Sequence, residues 1–422
     1  MTDAPQVAAP APAGFDRERI AALTAAIACV AVVGVGLSLS IPLLSLEMER
    51  MGLSGAVIGL NTALAGVASI CVVPFVPRLA ARLGVLTLLW LSLAVAVASF
   101  LGFRLLYDIV WWFPLRFLFS AAFGTLFVLS EYWINAAAPP HRRGLVMGVY
   151  ATVLAVGFAV GPAVLKLVGT SGWPPYLVGA ALYAAAALPL AAGRGLTPEL
   201  EGQPKRSVLS FILAAPIATL AALAFGAAET DGFALLPIYG LRIGFGDDNA
   251  AFLVSILAIG TMTFQIPIGL VSDRVDRRLV LLAAGSAGTL GVLLMPVTAG
   301  QGWGFYATLL VWSGLIGALY TVGLAHLGAR FTGADLASAN AAFVILYNVG
   351  LTLGPPVVGG AMDLLPPHGF AWSMAATFAA YTAVVAWRLA AERRPDDAAE
   401  RRTDGPRRDG APTSPAGRRA EY

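Results

Sequence analysis

Charge is scarce in this chain. Asp, Glu, Lys and Arg make up 12% of its 422 residues, and histidine occurs three times. Soluble domains carry about 25% charged residues, so the composition excludes an ordinary water-facing surface. The net charge of +3 points to no particular partner, and a nucleic acid is not expected. Cysteine is almost absent. Cys29 and Cys71 both sit inside apolar runs, without metal-ligand spacing, and read as two buried thiols acting as small hydrophobes. The sequence holds no N-x-[ST] site, H-E-x-x-H, G-x-S-x-G or nucleotide fingerprint, so no enzyme, metal or organic cofactor is indicated. It also lacks a P-loop, which excludes ATP-driven transport by this chain alone.

Apolar residues are what the chain has in quantity: 58%, with a mean hydropathy of +0.78. Its solvent is therefore largely lipid. A membrane-spanning helix needs about 20 mostly apolar residues. Cutting at charges and turn residues yields twelve such segments, near 20–46, 55–76, 85–104, 111–138, 144–168, 174–194, 211–241, 250–272, 279–299, 303–329, 336–362 and 370–391. Strands of a membrane β-barrel would alternate over about ten residues, and that pattern is absent. The first segment is too long for the apolar core of a secretory signal and is expected to remain as a span. Residues 1–19 form an N-terminal tail. Residues 392–422, rich in charge, Pro and Gly, are expected to be a disordered tail.

Basic residues fix the orientation. With the N-terminus inside, the inner loops before the C-terminal tail carry 13 Lys and Arg, among them Arg17, Arg82, Arg142, Arg274 and Arg330, and the outer side carries 5. Both termini are thus expected in the cytoplasm, with the chain in a bacterial inner membrane. The longest inner loop, "GRGLTPELEGQPKRS", divides the spans six and six. This gives an N-terminal bundle at 20–194, a connecting loop at 195–207 and a C-terminal bundle at 208–391. The halves also repeat each other. "YATVLAVGFAVGPAVLKLVG" (150–169) lies over "FVILYNVGLTLGPPVVGGAM" (343–362), so Gly157, Gly161 and Pro162 match Gly350, Gly354 and Pro355. Duplicated six-helix bundles are chiefly a transporter device, with the substrate site near the midplane between halves.

Particular motifs narrow the class. "GLVSDRVDRR" resembles the cytoplasmic gate motif of the major facilitator superfamily, with Gly269, Asp273, Arg274, Arg277 and Arg278 in place and Asp276 where glycine is usual. "RFLFSAAFG", from Arg116, resembles the superfamily's fourth-helix arginine motif. "GFAVGP" resembles the fifth-helix signature of proton antiporters, although Leu165 and Lys166 replace its usual glycine pair, which the repeat retains as Gly359 and Gly360. "SEYWINAAAPPHRRGLVMGVY" and "ALLPIYGLRIG" are similar to the YcaD-like bacterial branch. The resemblance covers nearly the whole chain apart from its tails. It implies an all-α membrane fold of twelve helices in two pseudo-symmetric six-helix bundles, with helices 1, 4, 7 and 10 around a central cavity. In the first half the gate pattern keeps Arg82 and Gly84 but has Pro77 and Ala81 where glycine and an acid belong. Asn135 or Ala136 stands where an acid is common late in helix 4. The gate is therefore expected to rely on Asp273 and its arginines.

An ionisable group inside a span costs about 2.5–3.5 kcal/mol to insert and counts as functional by default. Three carboxylates qualify. Glu131 lies 15 residues past Arg116, about 22 Å along the helix, and shares a face with Asn135. Glu229 falls mid-helix in the seventh segment, and Asp231 points about 200° away unless Gly232 and Pro237 break the helix. Glu131 and Glu229 are expected to carry protons. Asp231 is a weaker candidate, expected to face a neighbouring helix and find a hydroxyl or amide. The plain alternative for each is a buried acid that only holds helices together. Arg116, Asn135, Tyr320 and His326 are candidate cavity residues. For Arg116 the rival is snorkelling near the outer surface, and for His326 it is polar packing. Lys166 reads as a snorkelling residue, and Asn61, Tyr347 and Asn348 as interhelical hydrogen-bonders. Tyr107, Trp111 and Trp112 read as an outer aromatic belt.

The sequence thus leads to a secondary transporter, a monomer in the lipid bilayer. Its expected activity is proton-coupled export of a small apolar or amphiphilic molecule. Two rivals stand beside it: proton-coupled uptake of a polar metabolite, and a non-transporting receptor or scaffold on a transporter body.

Overall fold

A computed structural model describes residues 17–137, 143–192, 215–331 and 333–403. It is helical throughout, with no strand among the described residues. The helices are α1 (Arg17–Arg50), α2 (Gly55–Val72) with its amphipathic continuation α3 (Val76–Leu83), α4 (Val85–Leu105), α5 (Ile109–Ala137), α6 (Arg143–Val168), and the pair α7 (Pro174–Ala185) and α8 (Ala187–Ala192). In the second half they are α9 (Pro216–Ala234) with α10 (Leu236–Arg242), α11 (Asp247–Ser272), α12 (Arg277–Thr298), α13 (Trp303–Ile316) with α14 (Ala318–Arg330), α15 (Gly333–Leu364) and α16 (Gly369–Thr403).

Ten of these elements are long and apolar enough to cross a membrane, and α9 with α10, bent by 52° at Leu235, makes an eleventh. Between them α6 is a 26-residue helix whose apolar stretch among the described residues, Thr152–Val168, is shorter than these. The break in α9–α10 falls between Gly232 and Pro237, where the sequence suggested one. Pro237 has no N–H to continue the ladder, so it starts the new piece instead. The last helix runs to Thr403, further than the expected start of a structureless tail at 392, because "ERRPDDAAERRT" is mostly good helix formers. The connecting loop 195–207 lies outside the described residues.

The duplicated glycines explain how the bundles close. In the first half α6 packs on α1 where a Cβ on Gly157 would lie 3.0 Å from Gly34 Cα. In the second half α15 packs on α9 where a Cβ on Gly354 would lie 2.9 Å from Ala227 Cα. Such small-residue contacts let backbones touch where lipid supplies no hydrophobic drive between helices. The halves then meet as α2 against α15 and α6 against α11. Gly55 faces Gly359 across the first of these seams, and Ser255 donates to the Ala159 carbonyl at 3.2 Å across the second.

Two sequence expectations need correction. Cys71 is exposed, because α2 turns that face away from the bundle, while Cys29 is buried. Trp112 is fully buried rather than belted at the interface; its indole N–H donates to the Leu106 carbonyl and its ring packs edge-on to Phe103. Tyr107 and Trp111 do remain exposed.

Gly157→Leu should force α6 off α1 and destabilise the protein by about 1–3 kcal/mol, the cost of overpacking a tight contact. Thermal unfolding in detergent measures it, and an unchanged midpoint would refute the close-packing role.

Candidate functional site

Among the described residues, the ion pairs that join the two halves gather at one face. On the face opposite the chain termini, α1 and α10 each end in an arginine. Arg50 donates to the Thr170 carbonyl of its own half, pairs with Glu47 at 2.8 Å, and reaches Asp247 of the other half at 2.5 Å. Arg242 donates to the Met362 carbonyl of its own half at 2.9 Å and pairs with Glu49 of the other half at 3.1 Å. The two arginines are 192 residues apart, and so are the two carbonyls. The clamp is thus one device used twice. A guanidinium suits it, since its planar fork can bond two partners at once. Asp363 adds a third tie: it lies 3.5 Å from Arg242 and accepts the Gly55 and Ala56 N–H groups at the start of α2. Those N–H groups have no intrahelical partner, and the helix N-terminus favours an anion. Tyr107, in the loop before α5, donates to Glu47 at 2.6 Å; burial first, then this acid, push its phenol up to about 12.

Near the termini face the picture reverses. Among the described residues no hydrogen bond or ion pair joins the halves there. Asp273 pairs only with Arg277 of its own half, at 3.8 Å, and Arg277 also donates to the Ala325 carbonyl on α14 at 3.0 Å. Arg278 grips Asp276 at 2.8 Å and holds its carboxyl below the usual carboxylate range. Gly269 is in open space, and Arg274 and Arg82 are exposed.

Between these faces lie the carboxylates. Glu131 on α5 accepts a hydrogen bond from Tyr150 on α6 at 3.1 Å. Glu229 on α9 accepts one from Tyr347 on α15. Tyr320 on α14 is within electrostatic reach of both acids. Its ring lies 5.6 Å from Tyr347, 5.5 Å from Phe225 and 5.2 Å from Phe343. The arrangement brings one acid from each half to a shared group of phenols and rings. It can exchange protons through the phenols and receive an apolar or ring-bearing molecule against the aromatics.

The remaining residues separate from this group. Asn135 lies on α5, but its side chain is outside the described residues. His326 faces away, into a basic pocket with Arg278 and Arg330. Arg116 does not snorkel: it is 1% exposed and its three nitrogens have no hydrogen-bond partner among the described residues. Asp231 points at α15, where a Cβ on Gly354 would sit 2.8 Å from its Oδ2. It finds no hydroxyl or amide there, contrary to expectation, because the facing motif is glycine and proline. Asn61 likewise has no partner among the described residues, and Asn348 bonds the Val344 carbonyl of its own helix. Lys166 is exposed, its ammonium 4.2 Å from the centre of the Phe252 ring. The role of Tyr150 was missed. Its place seven residues past Arg143, the first residue of α6, carries no signal until the helix is seen to pack on α5.

Comparison with known proteins decides the family. The Major Facilitator Superfamily sequence model matches residues 26–258 and 243–419. The chain belongs to the Major Facilitator Superfamily. It is 28% identical over 342 residues to the MFS-type transporter YfkF of Bacillus subtilis, covering 78% of this chain and 86% of that protein. It is 25% identical over 279 residues to the MFS-type transporter YcaD of Escherichia coli K12, covering 65% and 71%. Among solved structures, the nucleoside transporter NupG superposes with a TM-score of 0.71 at 18% identity, covering 89% of this chain and 99% of that one. An inward-facing, occupied bacterial homologue of the lysosomal transporter Spinster gives 0.70 at 16%, covering 90% and 98%. These facilitators share the fold of two six-helix bundles, and this chain is a multi-pass transporter that moves a small molecule across a lipid bilayer.

Replacing Arg50 and Arg242 together with Gln should release the clamp. Each partly exposed pair is worth about 0.2–1 kcal/mol, so the double change should raise the population open at that face by roughly tenfold. A cysteine placed at Ser54 and labelled by a membrane-impermeant maleimide reports it. Equal labelling rates in the two backgrounds would show that the clamp does not hold the face shut.

Proposed function

We propose that this facilitator is a proton-coupled exporter of small apolar or amphiphilic molecules. It would sit in the bacterial inner membrane with both termini in the cytoplasm, as the bias of basic residues indicates. The observation that carries the reading is the pair Glu131 and Glu229. One acid comes from each half, each is held by a tyrosine of a neighbouring helix, and Tyr320 is within electrostatic reach of both. Rocking the halves about the clamped face changes which side these acids can reach, while their protonation changes whether substrate and acid fit the site together. The aromatic group beside Glu229 supports an apolar or amphiphilic cargo over a polar one, since no cationic side chain is joined to it among the described residues. On this reading the clamped face is the outward one.

The test is proton release from proteoliposomes challenged with a compound library, for the wild type, Glu131→Gln and Glu229→Gln. Transport by the wild type should accelerate as the side receiving the exported compound is acidified. Each variant should lose that dependence, with coupled flux down about 5–150-fold, the usual size of a coupling between two sites. Unchanged coupling in both variants would sink the mechanism.

A further inference from the structure

We propose that the C-terminal bundle carries, at its termini-facing end, a binding site for the phosphate headgroup of an anionic phospholipid, formed by Arg278, His326 and Arg330. A cavity of about 410 Å³ lies there, lined by these three residues with Ile217 and Ala329. Its walls are helix ends. Arg278 is the second residue of α12, Arg330 the last of α14 and Ile217 the second of α9. All three helices end at the same face, at the level where lipid headgroups sit.

Among the described residues, cations outnumber acids around the cavity. His326 lies within electrostatic reach of Arg277, Arg278, Arg330 and Asp276. Asp276 is engaged by Arg278 and Asp273 by Arg277. Arg330 has no acidic partner among the described residues; its guanidinium rests 6.0 Å from the Phe331 ring centre. The three arginines outnumber the two aspartates, and a histidine adds to the excess when protonated. A phosphate offers several acceptors to such a cluster, and guanidinium groups match it bidentately. Basic pockets between helices on the cytoplasmic side are a recurrent way to hold anionic headgroups.

Room and polarity favour a lipid over a free ion. At about 410 Å³ the cavity is larger than a phosphate group alone would fill. Leu279, which follows Arg278 on α12, is exposed. A headgroup on the arginines would therefore leave its glycerol and acyl chains against apolar surface. The occupant would also brace α12 against α14, the helix that carries Tyr320, on the same end where Arg277 already ties the two together through the Ala325 carbonyl.

The purified full-length protein in detergent, titrated with dioleoyl phosphatidylglycerol, phosphatidylcholine or inorganic phosphate and followed by native mass spectrometry and thermal shift, tests this. Phosphatidylglycerol should bind more tightly than either control. Arg278→Gln with Arg330→Gln should weaken it about thirtyfold, at about 1 kcal/mol per cation. Ala329→Phe, which keeps every charge, should weaken it too by filling the cavity that Ala329 lines, so the result does not hang on whether the charge variant folds. Equal binding of phosphatidylcholine, or full phosphatidylglycerol binding in the Ala329→Phe protein, would overturn the site. Inorganic phosphate binding as tightly as the lipid would overturn the lipid assignment in favour of a free anion.

Discussion

Two arginines set the geometry of everything else. Each holds a backbone carbonyl of its own half and an acid of the other, so α1 and α10 end in a shared, symmetric clamp. Closing that face leaves the opposite face as the one place where the halves can part. The strength of the clamp matters as much as its position. Its members are partly exposed, and such pairs contribute about 0.2–1 kcal/mol each. A fully buried ion triad would be held by several kcal/mol once broken, and would trap the transporter. A set of weak, water-accessible ties closes the face and still lets it open.

The glycine repeats supply the complementary property, rigid halves. Gly157 on Gly34, and Gly354 on Ala227, lock α6 to α1 and α15 to α9 through backbone contact. Residues on α1, α6, α9 and α15 therefore move as units. Glu229 and its donor Tyr347 sit on one such locked pair, α9 with α15, so their hydrogen bond should survive the rocking motion. Glu131 and Tyr150 lie on α5 and α6, which touch little elsewhere, so that bond is the more easily altered of the two.

Much of this was legible in the sequence, because lipid imposes simple rules. Apolar length marked most of the spans, and a constant offset marked the duplication. Glu131 and Glu229 stood out because an ionisable group in a span is rare and costly. The clamp did not stand out. Arg50, Asp247, Glu49 and Arg242 sit at helix ends, where charges are common and cheap, and their meaning lies in pairings across about 190 residues. Trp112 and Cys71 failed for a related reason: a helix that is apolar all round does not show in its sequence which face meets protein and which meets lipid.

The two gates are built differently. The clamped face has acids from both halves, Glu47 and Glu49 from the first and Asp247 and Asp363 from the second, set against two arginines and two free helix N–H groups. At the termini face the first half has Pro77 and Ala81 where the family pattern has glycine and an acid, and Asn135 late in the fourth span. The second half offers Asp273, 71% exposed and engaged within its own loop. Closing the termini face must therefore take Asp273 or its arginines away from existing partners, and it finds no acid at the usual first-half positions to receive a cation. Opening the other face costs several cross-half ties at once. On the proposed mechanism, substrate or proton binding offsets that cost, and the acids placed to respond are Glu131 and Glu229.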